Sequence, residues 1–231
     1  MSLFDKFLRI RELGILIIII IIVIGASIID SRFLSFDSWR AVLLAIPLIL
    51  VMAMGQMMVI ICRHVDISIG SILAFASIII GLIFIEYPNT PLWVAILITA
   101  FVGGIMGIIN GLIVTRFNVH SIIVTLGTLS LYRGVVFIVS GGRQIDRNDI
   151  PLHIISFSQT SFFFSIPGIL IFSAIIVILT HLVMKHSVIG REIYATGSNP
   201  IAAHLKGINV TKVTLFCFGV CGMFAGVAGL F

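Results

Sequence analysis

Charge is what this chain has least of. Asp, Glu, Lys and Arg make up 10% of its 231 residues, against 60% hydrophobic, and mean hydropathy is +1.27. Soluble domains carry about a quarter charged residues, so the balance excludes one and predicts a chain that crosses a membrane several times. Cysteine is scarce too: Cys62, Cys217 and Cys221 all lie in or beside apolar runs. Cys217 and Cys221 share a helix face, too few ligands for a structural zinc site, and read as small packing residues. The six histidines show no ligand spacing, and no metal site is expected. No Gly-Lys dipeptide occurs, which excludes a P-loop and its phosphate-binding lysine. There is no H-E-x-x-H and no G-x-S-x-G, which excludes the zinc-protease helix and the serine nucleophile elbow. The chain is expected to be no enzyme and to hold no cofactor. Charges precede the first apolar run but no A-x-A-like site follows, so the N-terminus does not read as a cleavable signal.

What is present is apolar length. Seven segments stand out: Leu13–Ile29, Ala41–Cys62, Ser71–Ile85, Leu92–Val114, Val119–Val139, Ser165–Met184 and Val213–Phe231. Most approach the ~20 residues that a helix needs to cross the hydrocarbon. The fold class is therefore all-α, a polytopic bundle of about seven spans, with Leu13–Ile29 and Ser71–Ile85 short enough to borrow flanking residues or to be broken. The net charge of +5 needs no nucleic-acid partner, because Lys and Arg concentrate in cytoplasmic loops. With a cytoplasmic N-terminus the inner loops hold Lys6, Arg9, Arg11, Arg63, Arg116, Lys185, Arg191, Lys206 and Lys212, and the outer ones Arg32, Arg40, Arg143 and Arg147. That asymmetry favours this orientation. Segment 185–212 is then cytoplasmic and segment 140–164 is the main outer loop, a solvated loop or a charged contact for an outside partner.

Small residues recur every fourth position at Gly103, Gly107 and Gly111 and at Gly222 and Gly226. That spacing lets helix backbones approach, and packing within the chain is the expectation. Pro47 and Pro167 are placed near the starts of their spans, where proline is tolerated best. In the loop, Asn199 and Pro200 form an N-cap and first helical residue, and Gly207 closes the end. A helix over Pro200–Lys206 follows, with Ala202 and Ala203 exposed. So short a helix needs support, either from a cytoplasmic partner or from the protein's own spans. Arg133 stands alone as a basic group well inside an apolar segment, where such residues face a wet cavity or snorkel outward. Asp66 and Ser68 are placed to cap a helix starting near Ile69, close to a span boundary. Gln56, Asn110, Thr125, Thr128 and Ser130 are uncharged polar groups in spans, able to face a polar ligand or to bond within their own helices.

Three stretches carry a resemblance. Gly190-Arg191, Tyr194-Ala195-Thr196-Gly197, Asn199-Pro200, Ala202-Ala203 and Gly207 resemble the ATPase-docking loop of the ABC-type permeases of the ribose, xylose, rhamnose and autoinducer-2 importers. Val65-Asp66-Ile67-Ser68-Ile69-Gly70-Ser71 resembles that family's Asp-Leu-Ser-Val-Gly signature. Thr125-Leu126-Gly127-Thr128-Leu129, with Leu131-Tyr132-Arg133-Gly134 and Gly141-Gly142, resembles its fifth span and following loop. The likeness runs from about Met52 onward. Arg63-His64 and the Leu-Tyr-Arg-Gly run look nearest to the autoinducer-2 and rhamnose branches.

The resemblance implies a single permease domain over 1–231 in a bacterial inner membrane, lacking further spans at its C-terminus. It implies an ABC ATPase that uses the ATP, a second permease copy or paralogue, and a periplasmic binding protein. By the same likeness Gly190, Arg191, Tyr194, Gly197, Asn199, Pro200, Ala202, Ala203 and Gly207 dock the ATPase, and Gln56, Asp66, Ser68, Asn110, Thr125 and Arg133 are candidates for the translocation path. Two rivals remain open: an ATP-independent secondary transporter, and a non-transporting membrane subunit.

Overall fold

The computed structural model describes residues 11–159, 161–163 and 166–231. Lys6, Arg9, Phe164 and Ser165, used above for loop charges and boundaries, lie outside the described residues. The chain divides into two units, 1–45 and 46–231.

The first unit contains α1 (Arg11–Ile29), a 3-10 turn at Ser31–Leu34 and the beginning of α2 (Phe36–Ile61). The Asp30 carboxylate accepts the Arg32 amide at 2.8 Å. The Ser35 hydroxyl accepts the Ser38 amide at 3.3 Å, and Asp37 occupies the first turn of α2, where the helix dipole favours an acid. These groups start α2 at Phe36, earlier than Ala41. Pro47 is therefore inside the helix, not near its start, a correction to the sequence reading. Membrane helices tolerate such prolines because neighbouring groups satisfy the freed carbonyl.

The second unit contains the rest of α2, then α3 (Ile69–Glu86), α4 (Leu92–Phe117), α5 (Ser121–Ser140), α6 (Leu152–Gln159), α7 (Gly168–His186), α8 (Val188–Ser198), α9 (Pro200–Leu205) and α10 (Val210–Ala228). Among the described residues six helices, α2, α3, α4, α5, α7 and α10, are long and apolar enough to span a membrane, and α1 adds the shorter apolar stretch Leu13–Ile29. The all-α multi-pass architecture agrees with the sequence. Among the described residues the exception is a small antiparallel pairing of Ser161–Phe163 with Ile166–Pro167. The short apolar run at Ser71–Ile85 borrows flanking residues to become the 18-residue α3.

The centre of the unit is the contact of α4 with α10. A Cβ on Gly103 would overlap the Gly222 carbonyl oxygen, and one on Gly107 would overlap that of Phe218. Reciprocally, a Cβ on Gly222 meets the Gly103 carbonyl and one on Gly226 meets that of Thr99. Both glycine series thus face each other inside one chain. The cysteines take packing roles as free thiols. Cys62 Sγ lies 3.5 Å from Cys217 Sγ, and Cys221 Sγ donates to Gln56 Oε1 at 3.5 Å.

Helix ends gather at two poles. At one, the Val65 amide donates to Ser121 Oγ at 3.1 Å, and Gly197 of α8 lies against the Ile61 carbonyl that ends α2. At the other, His153 Nε2 lies 2.9 Å from the Thr90 carbonyl oxygen, and Ser77 Oγ donates to the Gly229 carbonyl at 2.6 Å. The segment after α5 folds over this second pole. Arg143 pairs with Asp149 at 3.2 Å, and Ile154 of α6 is buried with Ile80 and Phe84.

Candidate functional site

At the first pole the chain builds the feature that the sequence singled out. Asn199 Oδ1 accepts the Ile201 and Ala202 amides, each at 3.1 Å. Pro200 takes the first helical position. Past Leu205, Gly207 adopts φ +85°, a conformation that glycine reaches without a Cβ clash, and the Ile208 amide returns to the Ala203 carbonyl at 3.1 Å. The caps define α9 at both ends. Asn199→Ala should cost about 1 kcal/mol locally, read as roughly fivefold faster hydrogen exchange at the Ile201 and Ala202 amides.

The faces of α9 differ from expectation in one respect. Ala202 is exposed, but Ala203 is only 3% exposed. Its small side chain lies underneath, where α9 packs on α8 and α10. The outer face belongs to Ile201 and Leu205, 76% and 82% exposed, two residues that the sequence reading passed over. Exposed Tyr194, Arg191 and Lys206 flank them. Gly190 and Gly197 serve packing: a Cβ on Gly190 would strike the Met184 and Val183 carbonyls, and one on Gly197 the Ile61 carbonyl.

The helix α8 was also missed. Its signal was Ser187, whose hydroxyl accepts the Gly190 amide at 3.0 Å, followed by Ile193, which is buried in the core. Arg63, expected as a loop charge and as part of the Arg63-His64 pair, has a structural role as well. It ends α2 with φ +65° and donates through Nη2 to the Ser198 carbonyl at 2.6 Å.

A second cluster lies within the unit, in and beside the connection from α2 to α3. Asp66 Oδ1 accepts the Ser68 amide at 2.9 Å and the Ser68 hydroxyl at 2.7 Å. Asn110 Nδ2 donates to Ser68 Oγ at 2.8 Å and to Asp66 Oδ2 at 3.2 Å. Tyr132 Oη donates to the Met106 carbonyl at 3.0 Å and lies 3.2 Å from Asn110 Oδ1. Asp66 thus caps the start of α3 by an Asx turn, while Ser68 spends its hydroxyl on Asp66. Asp66 lies at a span boundary, just before α3, and is buried there, 2% exposed. It meets Asn110 roughly two turns inside the end of α4.

Burial pushes the Asp66 carboxyl up, against the Ser68 and Asn110 hydrogen bonds that pull it down. Burial also lowers His64, with the nearby His120 adding to the effect. Tyr132 was quoted only within a motif; an aromatic hydroxyl inside an apolar span was the signal, since a buried Tyr seeks a partner.

The remaining candidates separate. Thr125 Oγ1 bonds its own helix at Ser121, 2.9 Å, and approaches the Val65 carbonyl at 3.4 Å. Thr128 and Ser130 also bond within α5. Gln56 meets Cys221. Arg133 lies toward the second pole, lining a cavity of about 860 Å³ with Ser77, Ser140, Arg143, Gln144 and Phe231. Asp66, Ser68 and Asn110 therefore form one cluster with Tyr132, and Arg133 belongs to another place.

Proteins named autoinducer 2 import system permease protein LsrC, from Yersinia pseudotuberculosis serotype O:1b and Salmonella paratyphi B, are each 29% identical over 220 residues. The alignments take in 95% of this chain and 61% and 62% of those proteins. The chain thus spans about three-fifths of the length of the curated relatives it matches. No solved structure matches. Residues 39–231, from α2 through the capped loop to the end of α10, match the family described as branched-chain amino acid transport system / permease component, and the chain belongs to that family of membrane transport proteins.

Proposed function

We propose that the chain is the membrane-spanning permease subunit of an ATP-driven ABC importer in a bacterial inner membrane. The observation that carries this reading is the surface of α8 and α9, a doubly capped helix presenting Ile201, Ala202 and Leu205 beside Tyr194. A soluble loop gains nothing from exposing these residues, whereas a docking partner buries them. The partner is an ABC ATPase, which uses the ATP; the permease itself does no covalent chemistry. The pole that carries α8 and α9 faces the cytoplasm, as does the N-terminus, because it gathers Arg63, Arg116, Lys185, Arg191, Lys206 and Lys212. The opposite pole faces a periplasmic binding protein, and a second permease copy or paralogue completes the pathway.

The substrate is a sugar or sugar-like furanose of the ribose, xylose, rhamnose or autoinducer-2 class. Two observations support this class: the printed name of the relatives, and the polar groups of Asn110, Tyr132 and Ser68 within an apolar bundle. The cavity beside Arg133 has a volume in the range of small-molecule sites and serves as the outer vestibule. Alternating exposure follows as ATP-driven closure of the partner biases the bundle between two states.

Leu205→Asp tests the docking surface without touching the buried side of α9. The variant should insert like wild type, with co-purified ABC ATPase reduced by about tenfold or more, as for a lost interface anchor. ATPase recovered at the wild-type level would contradict the assignment. Ala203→Asp is the poorer variant, because it places a carboxylate in a buried position.

A further inference from the structure

We infer that the connection Cys62–Ser68 carries movement of the docking helices into the interior of the bundle, and that Arg63 is its positioning residue. The inference rests on the transport reading above and deepens it.

The connection is tied at both ends by bonds that span long sequence separations. At its outer end Arg63 Nη2 donates to the Ser198 carbonyl at 2.6 Å, directly before the Asn199 cap of α9. Gly197 lies against the Ile61 carbonyl so closely that no Cβ fits. Cys62 Sγ approaches the Ile193 carbonyl of α8 at 3.9 Å. Three residues past Arg63, the chain enters the buried cluster. Val65 is held to α5 through Ser121 Oγ at 3.1 Å, and Asp66 is held to α4 through Asn110 and Ser68.

Arg63 holds φ +65°, which L residues adopt seldom, and its short bond across to α8 helps fix that backbone. Between the docking helix and the polar cluster there is no slack segment. A displacement of α8 and α9 therefore moves Asp66, and with it the Asn110–Tyr132 contact between α4 and α5. A guanidinium on the last carbonyls of a helix also caps it favourably, so a merely structural role for Arg63 needs its own discriminating measurement.

The protected amides of Val65 and Ser68, bonded to Ser121 Oγ and Asp66 Oδ1, are natural reporters. Hydrogen exchange is followed in the complex of the chain with its co-purified ATPase, with and without Mg·ATP and vanadate. In wild type, nucleotide trapping should change exchange at these two amides about fivefold or more, as expected when local opening is altered. In Arg63→Ala the ATPase should remain bound within about twofold of wild type while the nucleotide-dependent change falls below about twofold. Arg63→Lys, which keeps a donor for the Ser198 carbonyl, should restore most of it. A change that persists in Arg63→Ala overturns the inference. So does its absence in wild type, and so does loss of the ATPase together with the change, which would make Arg63 only a shaper of the docking surface. A wild-type chain with no ATPase bound overturns the transport reading itself, and this inference with it.

Discussion

Gly222→Leu abolishes the folded bundle. A side chain at Gly222 has to occupy the space of the Gly103 carbonyl and of the Gly107 backbone. Neither is a flexible side-chain end that can swing aside, so α4 and α10 must separate along their whole contact. In lipid there is little hydrophobic force to draw helices back together, and association depends on close packing. The loss should exceed the ~1–3 kcal/mol usual for overpacking, because the obstacle is backbone on both helices. Gly134→Leu is the control, since nothing lies within 4 Å of a Cβ there. Size-exclusion chromatography after mild solubilisation reads the result: a monodisperse peak for Gly134→Leu and none for Gly222→Leu. A normal peak from Gly222→Leu would mean that the two glycine series do not face each other in the folded chain.

The second large effect is at the interior cluster. Asn110→Asp replaces the donor to Asp66 and Ser68 with a second carboxylate. Two carboxylates sharing a site cannot both ionise freely. With Asp66 only 2% exposed, the uncompensated charge should cost on the order of 3–5 kcal/mol.

The pH dependence has a definite sign. Burial already raises the Asp66 carboxyl in the folded chain, and a neighbouring carboxylate raises it further. The folded state then binds more protons than the unfolded state between the ordinary and the raised values. Stability therefore falls as pH rises through that window and recovers as pH is lowered. Thermal unfolding in detergent should show Asn110→Asp regaining much of its midpoint on acidification. Asn110→Leu, which removes the donor without adding charge, should be milder. An Asn110→Asp variant as stable as wild type at neutral pH would show that the cluster does not bind Asp66 to α4.

Much of the fold was legible because lipid imposes a simple rule. Every spanning backbone must satisfy itself, so apolar length alone located six spanning helices and α1. The helix α9 was legible for a different reason. Asn199-Pro200 and Gly207 are local signals, and the cap geometry they encode is what the chain adopts. What escaped was anything set by distant partners. Ala203 read as exposed because a short loop helix shows no periodicity, and only its seat against α8 and α10 buries it. Pro47 read as near a helix start because Ser35 and Asp37, the groups that begin α2, are polar and lie outside the apolar run. The roles of Arg63 and Tyr132 are set by partners more than twenty residues away. Of the polar residues singled out in the spans, Asp66, Ser68 and Asn110 converge, while Arg133 lines a cavity toward the opposite pole.

The central claim is that the exposed face of α9, opposite its seat on α8 and α10, touches a separate ATPase. Site-specific photo-crosslinking from position 205 tests it most directly. A benzophenone amino acid is placed there, where the Leu205 side chain is exposed, and intact cells are illuminated. The account predicts an adduct between this chain and an ABC ATPase, identified by mass spectrometry and absent when the probe is moved to the buried position 203. Adducts confined to lipid or to the chain's own helices would contradict it.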